Sequence, residues 1–171
     1  MKAAITVRAV EARDLEEIAA IYAHEAVIAN TAQVPYRTAQ FWRDFYRTRD
    51  PDGLELAAIV DGRTVGHLGL IGNRLSRRKH VASFGIAVHP DFQGRGVGST
   101  LMGEMLHQAD NWLNLIRIEL AVASDNLAAI ALYEKHGFAF EGQTRFDIFT
   151  RGGYGHTNHM ARLRPGWERA E

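Results

Sequence analysis

The stretch His89-Pro-Asp-Phe-Gln-Gly-Arg-Gly-Val-Gly-Ser99 sets Gly94, Gly96 and Gly98 within five residues. Glycine at that density lets a backbone approach a ligand closely, and three phosphate-binding chemistries use such a loop. A nucleoside-triphosphate loop ends in Gly-Lys-Ser/Thr, because the lysine reaches the terminal phosphates; here Gly98 meets Ser99 directly. A dinucleotide fingerprint spaces its glycines G-x-G-x-x-G, but Leu101 stands where the third belongs, and no acidic residue closes a strand about 20 positions on. The remaining chemistry is a glycine turn at a helix N-terminus, whose N–H groups and dipole hold a pyrophosphate without a metal. A glycine-rich turn with no ligand is the plain alternative.

Other chemistries drop out quickly. The chain has no cysteine, so a disulfide framework, a thiolate zinc site and a cysteine nucleophile are excluded. His24, His67, His156 and His159 form no helical ligand set, and no metal is expected. His156 and His159 are at most part of an acceptor pocket.

The elements that must position the loop follow from hydrophobic period. Ile5 to Val10 alternates like a strand, and Asp14 caps a helix expected from Leu15 to Ile28, with Leu15, Ile18, Ala19, Tyr22 and Ala26 facing the core. A loop containing a proline then enters a second helix near Thr38, whose apolar side is Phe41, Trp42 and Phe45. Two strands joined by Asp61-Gly62 predict a type I′ hairpin, and the basic Asn73 to His80 stretch is a polar connection. The strand Val81 to Val88 feeds the glycine loop, and a helical period runs from Ser99 to Leu113. After the strand Ile116 to Val122 comes a capped helix stopped by Gly137, then two strands joined at Arg151-Gly152-Gly153. Hairpins mixed with crossover helices predict an α/β fold with a mixed central sheet and helices on both faces.

The 171 residues suit one domain, residues 1–171. Twenty basic side chains balance twenty acidic ones, which gives no electrostatic reason to expect nucleic acid or an anionic membrane as partner. No stretch has the roughly 20 apolar residues of a membrane helix, and the N-terminus becomes charged too early for a signal peptide, so a cytoplasmic location is expected.

Gln93-Gly94-Arg95-Gly96-Val97-Gly98 resembles the Q/R-x-x-G-x-G/A signature of the GCN5-related N-acetyltransferases. Asn126 to Phe138 resembles that family's second signature, N-x-x-A-x-x-x-Y-x-x-x-G-F, and the order of strands and helices matches along nearly the whole chain. Shorter stretches resemble a bacterial subgroup that acetylates L-amino acids. The resemblance implies a mostly antiparallel sheet of about seven strands that splays at the cofactor site, with acetyl-coenzyme A as cosubstrate. It also implies a homodimer and a small-molecule amine as acceptor, a peptide N-terminus being the alternative.

Carried over by position, Ile86, Ala87 and Val88 would pair with the pantetheine arm. Gln93, Gly94, Arg95, Gly96, Val97, Gly98 and Ser99 would surround the pyrophosphate. Asn126 would hydrogen-bond the pantetheine, and Tyr133 would protonate the leaving thiolate. Asn30, Thr31, Tyr36, Ser83 and Tyr154 would line the acceptor side. The general base stays open. Family members carry a glutamate where this chain has Ser83, or five residues before the motif asparagine, where it has Ala121. Glu119 lies on the same strand face as Ala121 and is the candidate base, although an ion pair with Arg117 suits it equally; His80, or proton loss to water, are the other routes.

Overall fold

The structure, a computed structural model, describes residues 4–49 and 53–169. In chain order its elements are β1 (Thr6–Ala9), α1 (Leu15–Ile21), α2 (Glu25–Ile28), α3 (Ala39–Arg47), β2 (Leu54–Val60), β3 (Arg63–Gly72) and β4 (Val81–Val88). These are followed by α4 (Val97–Asn111), β5 (Arg117–Ala123), α5 (Leu127–Lys135), β6 (Ala139–Thr150) and β7 (Gly153–Leu163). The seven strands form a sheet of order β1-β2-β3-β4-β5-β7-β6, in which β4–β5 pairs in parallel and β1–β2, β2–β3, β5–β7 and β6–β7 are antiparallel. The chain groups into two compact units, Met1–Leu70 with Gly85–Met105 and Ile71–Phe84 with Leu106–Glu171.

In the first unit the Asp61-Gly62 turn closes β2–β3 with both residues at positive φ (+50° and +77°), as a type I′ turn requires. Side chains alternate along β3, which puts helices on both its faces. Gly66 faces α4 so closely that a Cβ there would sit 2.9 Å from Val97 Cγ1. His67, on the opposite face, is buried beneath α1 and α3. The Glu55 carboxylate can only accept, so the His67 Nε2–H donates to it (2.7 Å), while the Tyr22 hydroxyl donates to Nδ1 (3.0 Å). Tyr46 stands 2.6 Å from Nε2, and Arg49 pairs with Glu55. Burial drives the His67 imidazole down to about 3, so the ring is neutral. The core of α1 and α3 is built on Ile18, Ile21 and Trp42, with Ala87 from β4.

One expected helix is two. After Ile21 the chain tightens through Ala23 and His24 N–H bonds to Ala20 and Ile21 carbonyls, and His24 turns extended before α2. Tyr22 closes α1 with its side chain on His67, and His24 leaves the helix to reach His89, where the two Nε2 atoms lie 3.2 Å apart. These tertiary partners override helix propensity. The break shifts the buried position from Ala26, which is exposed, to Val27.

In the second unit the parallel β4–β5 ladder spans three pairs, from Val81↔Arg117 to Ser83↔Glu119. The long β6–β7 hairpin turns at Arg151 and Gly152, both at positive φ. Its register slips twice, and at the first slip Glu141 is the extra residue between Phe140↔Met160 and Gly142↔His159. Such a bulge re-aims the side chain it carries.

Candidate active site

Within the first unit, β4 ends in a short turn at Pro90–Phe92 that His89 secures by accepting the Asp91 N–H on Nδ1 (3.2 Å). Gln93 folds back so that its side-chain amide donates to the Val88 carbonyl (3.1 Å), fixing the angle between strand and loop. Gly94 and Gly96 follow at φ +69° and +97°, conformations that side-chain-bearing residues rarely adopt. A Cβ at Gly94 would meet nothing within 4 Å, and one at Gly96 would meet Ile5 Cδ1 at 3.9 Å, so the glycines are required by backbone geometry and leave open space before them. The Thr100 N–H reaches the Gly96 carbonyl (2.9 Å), placing Val97, Gly98 and Ser99 in the first turn of the 15-residue α4. The Val97 side chain is 1% exposed and pins that turn to the core. Arg95 lies over the Phe92 ring, 5.2 Å from its centroid, and adds a cation beside the turn. A positive-φ glycine pair feeding the start of a long helix fits a pyrophosphate.

Ala87 is buried in the α1–α3 core, whereas Ile86 and Val88 are half-buried. Asn30 and Thr31 bond locally, to the Ala26 and Ile28 carbonyls. Tyr36 is 98% exposed and holds a positive φ of 65°, a strained setting for an aromatic residue.

In the second unit Asn126 caps α5, its side-chain oxygen accepting the Ala129 N–H (3.2 Å). One face of α5 then carries Tyr133, 8% exposed, edge-on to Phe84 with ring centroids 5.7 Å apart and beside Phe138. This aromatic cage desolvates the phenol and pushes it up to about 12, so Tyr133 keeps its proton at neutral pH. Gly137, at φ +86°, ends the helix and returns Phe138 to the core.

Ser83 of β4 and Ala121 of β5 mark an exposed face of these two strands. There Ser83, Arg117, Glu119, Leu120, Ala121, Glu141, His159 and Met160 line a pocket of about 290 Å³. Glu119 is held at both oxygens, by Arg78 Nη2 and Arg117 Nε, each at 2.9 Å. Arg117 also grips Glu141 with both terminal nitrogens (2.8 and 2.5 Å). The bonds to Glu141 hold the guanidinium above its ordinary range and the Glu141 carboxyl below its own. His159 stands opposite Ala121 in the β5–β7 register, and its Nε2 lies 2.6 Å from Thr144 Oγ1.

Of the residues expected on the acceptor side, Ser83 lines this pocket, together with the candidate base Glu119. Tyr154 does not; it is exposed near the β6–β7 turn against Phe149. Glu141 escaped the sequence because a bulge places it, and alternation along β6 alone assigns it no such position. The Arg117–Glu119 pair was visible in the i, i+2 spacing.

A protein of Escherichia coli strain K12, the L-amino acid N-acetyltransferase AaaT, is 42% identical over 161 residues, covering 94% of this chain and 98% of its own. The spermidine N-acetyltransferase of Vibrio cholerae, solved with CoA and spermine, superposes with a TM-score of 0.84 at 28% identity over 94% of this chain and 95% of that one. The yncA acetyltransferase of Salmonella typhimurium, solved with acetyl-CoA, shares the fold with a TM-score of 0.84 at 22% identity, covering 95% of each chain. The model of the acetyltransferase (GNAT) family matches residues 15–138, and the chain belongs to that family: it is an acetyltransferase, and its cosubstrate is acetyl-coenzyme A.

Proposed function

We propose that this enzyme acetylates the primary amine of a small molecule, an amino acid or close analogue, in the cytoplasm and as a homodimer. The pocket of the second unit carries the reading. Two carboxylates, Glu119 and Glu141, and one guanidinium, Arg117, stand around about 290 Å³, a size and charge pattern suited to a small zwitterion. A relative 42% identical over 94% of the chain is named for L-amino acids, which supports the same acceptor class.

Bound acetyl-coenzyme A supplies an activated acetyl thioester, and each part of the chain has a task toward it. The turn from Gln93 to Ser99 holds the pyrophosphate, its backbone amides presented by Gly94, Gly96 and the first turn of α4. The backbone of Ile86, Ala87 and Val88 aligns the pantetheine arm, and an N–H there receives the oxyanion as the amine attacks the carbonyl. Asn126 bonds the pantetheine. The Tyr133 phenol, protonated and caged, gives its proton to the thiolate as the carbon–sulfur bond breaks.

Calorimetry with acetyl-coenzyme A, followed by thiol-release assays across amino acids, polyamines and peptides, tests the reading. Binding is expected, with turnover on free amino acids. Turnover confined to polyamines or to peptide N-termini would replace the acceptor class, and binding without turnover on any amine would make the protein a coenzyme-binding module. A dimer by light scattering is the expected assembly.

A further inference from the structure

The acceptor's ammonium group must lose a proton before it can attack, and the pocket holds few groups able to take it. Glu119 commits one oxygen to Arg78 and the other to Arg117, and Glu141 commits both to Arg117. Ser83 and Ala121 offer no base. The imidazole of His159 differs: among the described residues Thr144 is the one side chain bonded to it, at Nε2, leaving Nδ1 unengaged. Strand register puts the ring in the pocket with these groups. Ser83 pairs with Glu119 and Ala121 with His159, and alternation places all four side chains on the same open face. The Ala121 methyl directly opposite leaves the ring room over β5.

We propose that His159 is the general base of the acetyl transfer, a role that rests on the acetyltransferase reading above. With Nε2–H donated to Thr144 Oγ1, the Nδ1 lone pair takes one proton from the acceptor ammonium, directly or through one water. The neutral amine attacks the thioester carbonyl, forming the carbon–nitrogen bond. As the carbon–sulfur bond breaks, the thiolate takes the Tyr133 proton, and the nitrogen's second proton restores the phenol through water. His159 then passes its proton to solvent, so each turnover yields amide, free thiol and one proton. Arg117 and Glu119 from β5 and Glu141 from β6 face the ring, with Arg78 behind Glu119. Their opposite charges are paired with one another.

The test measures kcat/KM against pH by thiol release for the wild type, His159→Gln and the double variant Ala121→Glu/His159→Gln. Acetyl-coenzyme A affinity is followed by calorimetry and folding by circular dichroism. His159→Gln is expected to lower kcat about 100-fold at pH 7, with cofactor affinity unchanged. Its ascending pH limb should move up toward the acceptor's own ionisation. The double variant, which sets a carboxylate opposite the vacated ring, should regain at least about tenfold, with the limb moved to lower pH. A His159→Gln rate and profile equal to wild type overturns the role. So does a uniform fall that keeps the wild-type limb, or a folded double variant with no regain. Failure of the wild type to release thiol with any amine removes the underlying acetyl transfer instead, a result distinguishable at once from failure of the base alone.

Discussion

The glycine turn of the first unit and the charged pocket of the second are built from different material. On the proposed reading the turn would act through main-chain N–H groups whose direction depends on φ at Gly94 and Gly96, so its side chains would matter mainly by being absent. The pocket works through side chains drawn from β4, β5, β6 and β7 and braced by each other's charges. A main-chain site tolerates side-chain change at Arg95 and fails on backbone change. A side-chain site behaves in the opposite way.

Tyr133→Phe gives the largest effect. It deletes one oxygen from a ring whose packing against Phe84 and Phe138 stays in place. Turnover measured by thiol release should fall about 100-fold, the usual contribution of a positioned acid, while calorimetric affinity for acetyl-coenzyme A stays within about twofold. Unchanged turnover would remove the proton-donor role. Gly96→Val reverses the pattern. A β-branched residue at φ +97° costs on the order of 1–3 kcal/mol, so cofactor affinity should weaken by about tenfold to 100-fold. The KM for the acceptor should hold. If affinity survived, the turn would not be the pyrophosphate cradle.

The same division explains what the sequence disclosed. The turn was legible because a main-chain site leaves its mark as spacing: three glycines after a strand and before a helical period. The helix after β5 and its stop at Gly137 were legible for a similar reason, whereas Asn126 and Tyr133 were singled out by the resemblance to the family's second signature. The seven strands and both hairpin turns followed from period two and from Asp-Gly or Arg-Gly at positive φ. The pocket was less legible because its pairs are long-range. Arg78, in the turn before β4, reaches Glu119 on β5, Arg117 joins β5 to Glu141 on β6, and Glu141 enters through a bulge that breaks the period used to read β6. The split between α1 and α2 was hidden likewise, since it serves His67 and His89, far off in sequence.

Two ion pairs extend the comparison to stability, and they yield the smaller effects. Asp14 is buried in the first unit, where it accepts two bonds from Arg8 (2.7 and 2.8 Å), one from the Thr64 hydroxyl and one from the Glu11 N–H. Burial alone would raise its carboxyl, but these donors outweigh it and bring the group down to about 2 from 3.8. A depressed folded value means the stabilisation is complete above the unfolded value and is lost as pH falls through the folded one. Asp14→Asn should therefore cost on the order of 2 kcal/mol in urea unfolding at pH 7. The wild type should lose that advantage between about pH 4 and about pH 2.

Glu141 is the exposed counterpart, paired with Arg117 on the open face and likewise depressed by it. The sign is the same, with stability present above the ordinary carboxylate range and lost below it, but solvent and salt screen the pair. Glu141→Gln should change unfolding stability by less than about 1 kcal/mol, and salt at about 0.5 M should erase most of the difference. What the variant does alter is the pocket, since Arg117 keeps its bond to Glu119 but loses the Glu141 charge and one of its two acceptors there. A few-fold change in acceptor KM with acetyl-coenzyme A affinity intact would show that this charge serves recognition. A stability loss as large as that of Asp14→Asn would show instead that the open face is held by its ion pairs, as the buried one is.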